Sequence, residues 1–176
     1  MSIRRTFATL RIELERPTLL REQEFLSAVK YSVKLHKGLV APPPTVERYR
    51  AFLGGLRGDS RASFFVVVKR TDTIAGVVTI SEIVRGTFQS AYLGYYALEP
   101  NAGEGYLREG LQQVISHAFG KLKLHRLEAN IQPGNQRSIA LVKRLGFKRE
   151  GYSPRYIKVC GRWCDHERWA LLADAR

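Results

Sequence analysis

A glycine-containing loop between a strand pattern and a helix pattern constrains this chain most. The apolar and aromatic run Ala91–Leu98 favours a strand, and apolar residues recur at helical spacing through Leu107–Phe119. Gly103 and Gly105 lie between them, where the absence of a Cβ lets a ligand approach the backbone. A strand, a glycine loop and a helix start together direct backbone N–H groups at an anion. The stretch therefore predicts a site for a phosphate-bearing ligand, although strand-to-helix turns also use glycine for steric reasons alone.

The length, composition and charge of the chain limit the class of protein it can be. The 176 residues, of which 44% are hydrophobic and 26% charged, suffice for one globular domain, and we expect a single domain over residues 1–176. No apolar run is long enough to cross a bilayer, and the N-terminus lacks the apolar core of a secretory signal. We therefore expect a cytoplasmic protein with no membrane partner. The net charge of +13 predicts attraction to RNA, a ribosome surface or a polyanionic cofactor.

Two cysteines, Cys160 and Cys164, lie close together near the end of the chain. Their three-residue spacing does not match the usual zinc motifs, although His166 follows closely. We expect no metal here. In a hairpin the two side chains could face each other across the turn, and ordinary packing explains them.

The order of the remaining patterns predicts a mostly antiparallel sheet with helices on both faces. The predicted strands are Thr6–Glu15, Ser63–Arg70, Ile74–Val84, Ala91–Leu98, His125–Ile131 and two more within Phe147–Leu172. The predicted helices are Leu19–Lys37, Thr45–Leu56, the helix after Gly105, and the helix that Asn135 caps and Gly146 ends. This order is typical of an α/β (α+β) fold with a parallel step wherever a helix crosses over.

Two nucleotide-binding patterns are absent from the sequence. Arg108 occupies the place of the third glycine in G-x-G-x-x-G, which argues against a dinucleotide-binding fold. The phosphate-loop pattern G-x-x-x-x-G-K-[ST] does not occur either. The predicted phosphate-bearing ligand therefore needs another kind of site.

Motifs after the loop resemble the GNAT acetyltransferase superfamily. They are HRLEAN at 125–130, PGNQRS at 133–138 and LGFKREG at 145–151. Within the superfamily the chain is most similar to the ribosomal-protein-alanine N-acetyltransferases of the RimJ/RimL type, which the C-terminal motifs YIK at 156–158 and GRWCDH at 161–166 also resemble. The resemblance implies a central mixed, mostly antiparallel sheet of about seven strands. About four helices would flank it, and its fourth and fifth strands would splay apart.

The resemblance further implies acetyl-CoA as co-substrate and a phosphate-binding role for the glycine loop. The backbone of residues Ala102, Gly103, Gly105 and Tyr106 would bind the pyrophosphate at the helix start. The superfamily often has Gln or Arg where this chain has Pro100, so Arg108 would add a contact.

The pantetheine arm would bind along the strand before the loop. Tyr96, Ala97 and Leu98 would pair with it through their backbones as with an added strand, and Asn135 would hydrogen-bond it. Ser138 would help the thiolate leave by donating a proton or hydrogen bond. Each residue also has an ordinary structural interpretation. Asn135 and Ser138 suit a helix N-terminus, and Tyr95 and Tyr96 suit strand packing.

A general base is less obvious. Glu82 shares the alternation of apolar Val78, Ile80 and Val84, which predicts an acid pointing inward at the opening of the sheet. A salt-bridged edge residue is the alternative interpretation, and Glu128 is a comparable candidate for the base.

The resemblance implies an N-acyltransferase that acetylates the α-amino group of a protein or peptide N-terminus, alanine-like, such as that of a ribosomal protein. Its basic surface would associate with the ribosome or RNA, and the protein would be a monomer or homodimer. The alternatives are acetylation of a small amine, such as an amino acid, drug or peptide antibiotic, and a non-catalytic module that binds acyl-CoA or RNA.

Overall fold

A computed structural model describes residues 10–175, and a seven-stranded sheet forms its centre. The strands are β1 (Ile12–Glu15), β2 (Ala62–Val68), β3 (Thr73–Val84), β4 (Ser90–Ala97), β5 (Arg126–Ile131), β6 (Lys148–Val159) and β7 (Arg162–Leu172). Their order is β1-β2-β3-β4-β5-β7-β6, and β4 and β5 form the one parallel pair among these strands. The predicted mixed, mostly antiparallel sheet is thus confirmed. Residues 6–9 of the predicted first strand lie outside the described residues.

Five helices connect and cover the strands in the described part of the chain. They are α1 (Glu22–Tyr31), α2 (Val33–His36), α3 (Val46–Gly54), α4 (Tyr106–Gly120) and α5 (Gln136–Arg144), with 3-10 turns at Leu19–Arg21 and Ala173–Ala175. One more helix forms than predicted, because the predicted helix Leu19–Lys37 is interrupted at Ser32. The Ser32 hydroxyl donates to Ala28 O (2.7 Å) and accepts the Glu99 N–H (2.9 Å), so this serine ends α1 and ties it to the end of β4.

The sheet is buried on both faces where its strands are most apolar. Helices α4 and α5 cover one face, where they pack against side chains of β2 to β5 and β7. Helices α1 and α3 cover the other face, where they enclose Phe65, Val67, Val77 and Leu98. All seven residues of β2 are buried, as expected for a strand covered on both sides.

The sheet opens between β4 and β5. Helix α4 crosses over between these strands and makes them parallel, but they pair only at Ser90–Arg126, Ala91–Leu127 and Tyr92–Glu128. Beyond Tyr92 the remainder of β4, residues 93–97, runs without a partner on that side. The predicted opening between the fourth and fifth strands is therefore present. No helix within residues 10–175 is both long and apolar enough to cross a membrane.

We expect Gly110→Ala to destabilise the protein although alanine is the better helix former. A Cβ at Gly110 would lie 2.3 Å from Val66 Cγ2, so α4 would have to move away from β2. The free energy of unfolding, measured by urea denaturation, should fall by about 1–3 kcal/mol. Gly120→Ala in the same helix is the matched control, because its Cβ would meet nothing within 4 Å. Equal stabilities of the two variants would contradict the close approach of α4 to β2.

Candidate active site

The N-terminus of α4 presents free backbone amides. Gly105 is the N-cap residue, has a positive φ of +84°, and makes no side-chain cap. The first intrahelical bond runs from Glu109 N to Gly105 O (3.2 Å), which leaves the N–H groups of residues 106–108 without partners in the helix. These amides and the helix dipole attract an anion. The loop that was predicted from Gly103 and Gly105 therefore has the geometry of an anion site, and the exposed side chain of Arg108 lies in its first turn.

Arg11, the residue directly before β1, contacts this loop through its side chain. Its Nη2 donates to Glu104 O (3.1 Å), its Nε donates to Glu109 Oε1 (2.7 Å), and its guanidinium lies 4.6 Å from the centroid of the Tyr106 ring. The Glu109 hydrogen bond raises the pKa of Arg11. Arg11 thereby neutralises the one acidic side chain in the first turn of α4. Sequence reasoning missed this role, since contacts across nearly 100 residues leave no local pattern.

A cavity of about 480 Å³ extends from Leu107 in the first turn of α4 to Ser138 in the first turn of α5, along β4. We call it the helix-side cavity. Its apolar walls are formed by Leu35, Leu39, Val40, Leu107 and Leu141. Its polar lining comes from His36, Tyr95, Tyr96, Asn135, Gln136, Arg137 and Ser138. A long ligand with an apolar body and a few hydrogen-bonding groups fits such a lining.

The end of β4 offers backbone groups to this cavity. Leu98 N donates to Ala75 O (2.8 Å), so the backbone groups of Ala97 point to the opposite, open edge. There His36 Nε2 contacts Ala97 O at 2.7 Å, and burial lowers the pKa of His36, which favours a neutral ring that donates. Tyr96 packs edge-on against His36, and its burial raises its pKa. Of the three residues predicted to pair with a ligand, Ala97 faces the opening, while the Leu98 amide is already bonded.

Ser138 and Tyr95 form a hydroxyl pair inside the cavity. Ser138 Oγ lies 2.6 Å from Tyr95 Oη, and burial raises the pKa of Tyr95 to about 12. Asn135 Oδ1 accepts the Ser138 N–H (3.2 Å), so Asn135 is the N-cap of α5 and also lines the cavity. Sequence reasoning singled out Ser138 but assigned Tyr95 to packing. The alternation of β4, which places Tyr95 on the α5 side with Leu93, was the signal that could have paired them.

Three smaller cavities lie beyond the helix-side cavity, near the opening of the sheet. The gap cavity (about 170 Å³) lies between β4 and β5, the hairpin-side cavity (about 300 Å³) borders β6, and the bulge cavity (about 250 Å³) borders the end of β3. The helix-side and gap cavities share Ser138, and the gap and hairpin-side cavities share Gly94 and Asn130. The hairpin-side and bulge cavities share Glu128. The four cavities therefore lie next to one another across the opening of the sheet, and we call this row of cavities the path.

The far end of this path is acidic and aromatic. Tyr92 and Tyr156 bring their hydroxyls within 3.4 Å, which ties β4 to β6. This hydrogen bond, with burial and the charges of Glu128 and Glu82, raises the pKa of Tyr92 to about 12. A cationic group would be attracted to this end of the path.

Glu82 and Glu128 differ in what already binds them. Arg126 Nε donates to Glu128 Oε1 at 2.8 Å, whereas no ion pair within residues 10–175 involves Glu82. Glu82 has a φ of +50° in an irregularity of β3, so the alternation used to place it inward is interrupted there. Its exposed side chain nevertheless lines the bulge cavity beside Tyr92.

The cysteines are separate from this site. Both are free, Cys160 is exposed at the β6–β7 turn, and Cys164 is half-buried in β7. Within residues 10–175, no three His, Cys, Asp or Glu side chains form a metal-binding group.

Comparisons with known proteins agree with this geometry. The sequence model of the acetyltransferase (GNAT) domain matches residues 11–148. The chain is 34% identical over 117 residues to the probable N-acetyltransferase YjcK of Bacillus subtilis (strain 168), covering 66% of this chain and 65% of that protein. It is 41% identical over 98 residues to the ribosomal protein uS5-alanine N-acetyltransferase of Escherichia coli (strain K12). This match covers 56% of this chain and 50% of that protein. The matches thus span between 50% and 65% of these relatives' own lengths.

The fold is also similar to that of Mycobacterium smegmatis RimJ in complex with CoA-disulfide. The TM-score is 0.85 at 24% identity, over 93% of this chain and 82% of that chain. At this identity the similarity concerns the fold alone.

Coenzyme A binding should depend on the glycine at position 103. Gly103→Ala and Gly86→Ala both place alanine at a positive φ (+92° and +68°) with nothing within 4 Å of the new Cβ. Each should lose stability by about 1–2 kcal/mol through the same backbone strain. Only Gly103→Ala should weaken coenzyme A binding in calorimetry, by about tenfold, or 1.4 kcal/mol. Equal affinities in the two variants would contradict the assignment of this loop as the anion site.

Proposed function

Since this chain belongs to the acetyltransferase (GNAT) domain family, we propose that it transfers the acetyl group of acetyl-CoA to the α-amino group of a protein or peptide N-terminus. The observation that carries the proposal is the row of cavities across the open sheet, which extends from beside the uncapped start of α4 to the cavity that Glu82 and Glu128 line. Such a path allows an amine to meet a thioester without either leaving its own cavity.

The helix-side cavity suits acetyl-CoA as the co-substrate, which supplies an activated acetyl group as a thioester. The free amides of residues 106–108 would bind its pyrophosphate, as proposed for the Ala102–Tyr106 loop. The open edge of β4 at Ala97 and the Asn135 side chain would hydrogen-bond the pantetheine arm. The apolar walls would exclude water from the thioester.

Ser138 and Tyr95 would stabilise the leaving thiolate. Because its pKa is about 12, Tyr95 keeps its proton and can donate to Ser138 Oγ. The Ser138 hydroxyl can then direct its own hydrogen bond at the departing sulfur, which leaves as a thiolate. This assigns Tyr95 as the residue that orients and supports Ser138.

Glu82 would take the proton that the amine loses. A peptide α-amino group has a reference pKa of about 7.7–8.0, so roughly a tenth is neutral near pH 7, whereas lysine at about 10.4 is almost fully charged. A carboxylate without an ion pair can therefore serve as base for an N-terminus. Glu82 meets that condition better than Glu128, whose charge Arg126 already offsets.

An alanine-like N-terminus, such as that of a ribosomal protein, is the substrate that the relatives favour. The uS5-alanine N-acetyltransferase is 41% identical over the matched segment. The net charge of +13 would favour association with the ribosome or RNA in the cytoplasm. A single domain over residues 1–176, present as monomer or homodimer, would suffice for this reaction. A small amine as acceptor is the second candidate, because the acidic cavity would attract any cationic amine.

Thiol release from acetyl-CoA tests the substrate class. An Ala-initiated hexapeptide should react with a kcat/KM at least about tenfold above that of the same peptide with a blocked N-terminus and a free lysine, because its amine is far more often neutral. Free amino acids and diamines form the third set of acceptors. Equal rates on all three sets would contradict an N-terminal substrate.

Ser138→Ala and Tyr95→Phe should lower kcat without weakening acetyl-CoA binding. We expect at least about a hundredfold loss for Ser138→Ala, the usual size of general-acid effects, and a smaller loss for Tyr95→Phe. The exposed residues Ser27 and Tyr31 provide the controls Ser27→Ala and Tyr31→Phe, which should keep the original kcat. An unchanged kcat in Ser138→Ala would exclude its role as acid.

A further inference from the structure

We propose that Gly94 of β4 and Asn130 of β5 together form the opening through which the acceptor amine reaches the acetyl group. In this proposal Asn130 Oδ1 accepts a hydrogen bond from the attacking amine, and Gly94 leaves the space in which the first residue of the acceptor lies. The proposal rests on the acetyl transfer proposed above and names the contact that orients its nucleophile.

Asn130 carries an unsatisfied acceptor at the centre of the path. Its Oδ1 is buried, and no hydrogen-bond donor within residues 10–175 reaches it. The residue lines both the gap cavity and the hairpin-side cavity. A buried carbonyl oxygen without a donor is costly in folded proteins, so a donor on a bound ligand would be stabilised at this oxygen. Of the buried side-chain atoms without a partner in the described residues, this is the one at the opening between β4 and β5.

The alternation of side chains along β5 places Asn130 on the face of the sheet away from α4 and α5. Leu127, Ala129 and Ile131 pack in the core on the α4–α5 side, so Asn130 and Glu128 share the opposite face. That face is where the acidic end of the path lies. A donor on the approaching ligand, rather than on coenzyme A behind the sheet, is therefore the natural partner of Asn130.

Gly94 lies opposite Asn130 across the opening. The paired register Tyr92–Glu128 would continue to Gly94–Asn130 if the strands stayed together. The φ of Gly94 is not in the left-handed region, and a Cβ there would meet nothing within 4 Å. Neither the backbone nor the packing of the described residues requires glycine. A strand glycine of this kind marks the close approach of a ligand.

Acetyl transfer would use a hydrogen-bond acceptor beside the attacking amine, and it needs no reactant besides the amine and acetyl-CoA. The nitrogen–carbon bond forms while the carbon–sulfur bond breaks, and the amine must direct its lone pair at the carbonyl carbon. A hydrogen bond from the amine N–H to Asn130 Oδ1 would set that orientation. The amide oxygen does not take up the proton, which passes to Glu82, and the sulfur leaves as a thiolate that accepts a hydrogen bond from the Ser138 hydroxyl.

The matched variants Asn130→Leu and Asn130→Asp test the hydrogen bond. Both keep the branched shape of asparagine, but only aspartate keeps an acceptor oxygen. With acetyl-CoA and an Ala-initiated hexapeptide, we expect Asn130→Leu to lower kcat/KM at least tenfold and Asn130→Asp to stay within threefold. The melting temperature of Asn130→Leu should not fall, since an unsatisfied polar atom is removed. A purely structural asparagine would give the reverse, a lower melting temperature with unchanged turnover, and would overturn the proposal.

The variant Gly94→Ala tests whether the space beside Gly94 holds the first residue of the acceptor peptide. The variant should fold as stably as the original protein and bind acetyl-CoA equally well, yet its KM for the peptide should rise at least fivefold. Gly58→Ala is the control, because its Cβ also meets nothing within 4 Å. Unchanged peptide kinetics in Gly94→Ala would overturn the assignment of this space. If the original protein binds acetyl-CoA but acetylates no peptide or amine, the proposed function fails and not this inference alone.

Discussion

The separation of β4 from β5 is the constraint on which the rest of the structure depends. A strand inside a sheet normally has both edges paired, because unpaired buried N–H and C=O groups are costly. Here β4 pairs with β3 along its length but with β5 over only three residue pairs. The opening is compatible with a stable core because both faces of the sheet carry their own helices. Part of the unpaired edge of β4 is satisfied by side chains of the same chain. For example, His36 Nε2 hydrogen-bonds Ala97 O.

Two of the helices that border the helix-side cavity, α4 and α5, begin differently. Helix α5 has its N-terminus capped by Asn135, whereas α4 begins at Gly105 without a cap. In the first turn of α4 the charge of Glu109 is offset by its ion pair with Arg11. Of these two helix starts, that of α4 therefore has the uncapped amides and that of α5 has the hydroxyl pair of Ser138 and Tyr95. Under the proposed function, the first would bind the phosphate and the second would act at the thioester.

Much of this arrangement could be predicted from the sequence, because it depends on local patterns. Strand runs, the glycines of the loop and the cap at Asn135 are short-range signals, and the motif order led to the correct fold. Where the sequence predictions were wrong, the reason is the folded structure around the residue, which the local sequence pattern does not contain. Ser32 breaks a continuous helical pattern because its side chain bonds the end of β4, and Glu82 leaves the strand alternation because β3 is irregular there. The Tyr95–Ser138 pair joins residues 43 positions apart, so the alternation of β4 indicates only the face on which Tyr95 lies, and the contact itself needs the fold.

The path through the sheet also divides the chain into parts that can change separately. The helix-side cavity is lined by residues of α2, α4, α5 and the edge of β4, whereas Tyr156 and Ile157 of β6 line the hairpin-side cavity and not the helix-side cavity. Under the proposed function, substitutions at Tyr156 or Ile157 would therefore alter which amine enters without removing a contact to the acyl donor. The choice of acceptor could then change through one strand of the hairpin while the donor site stays as it is.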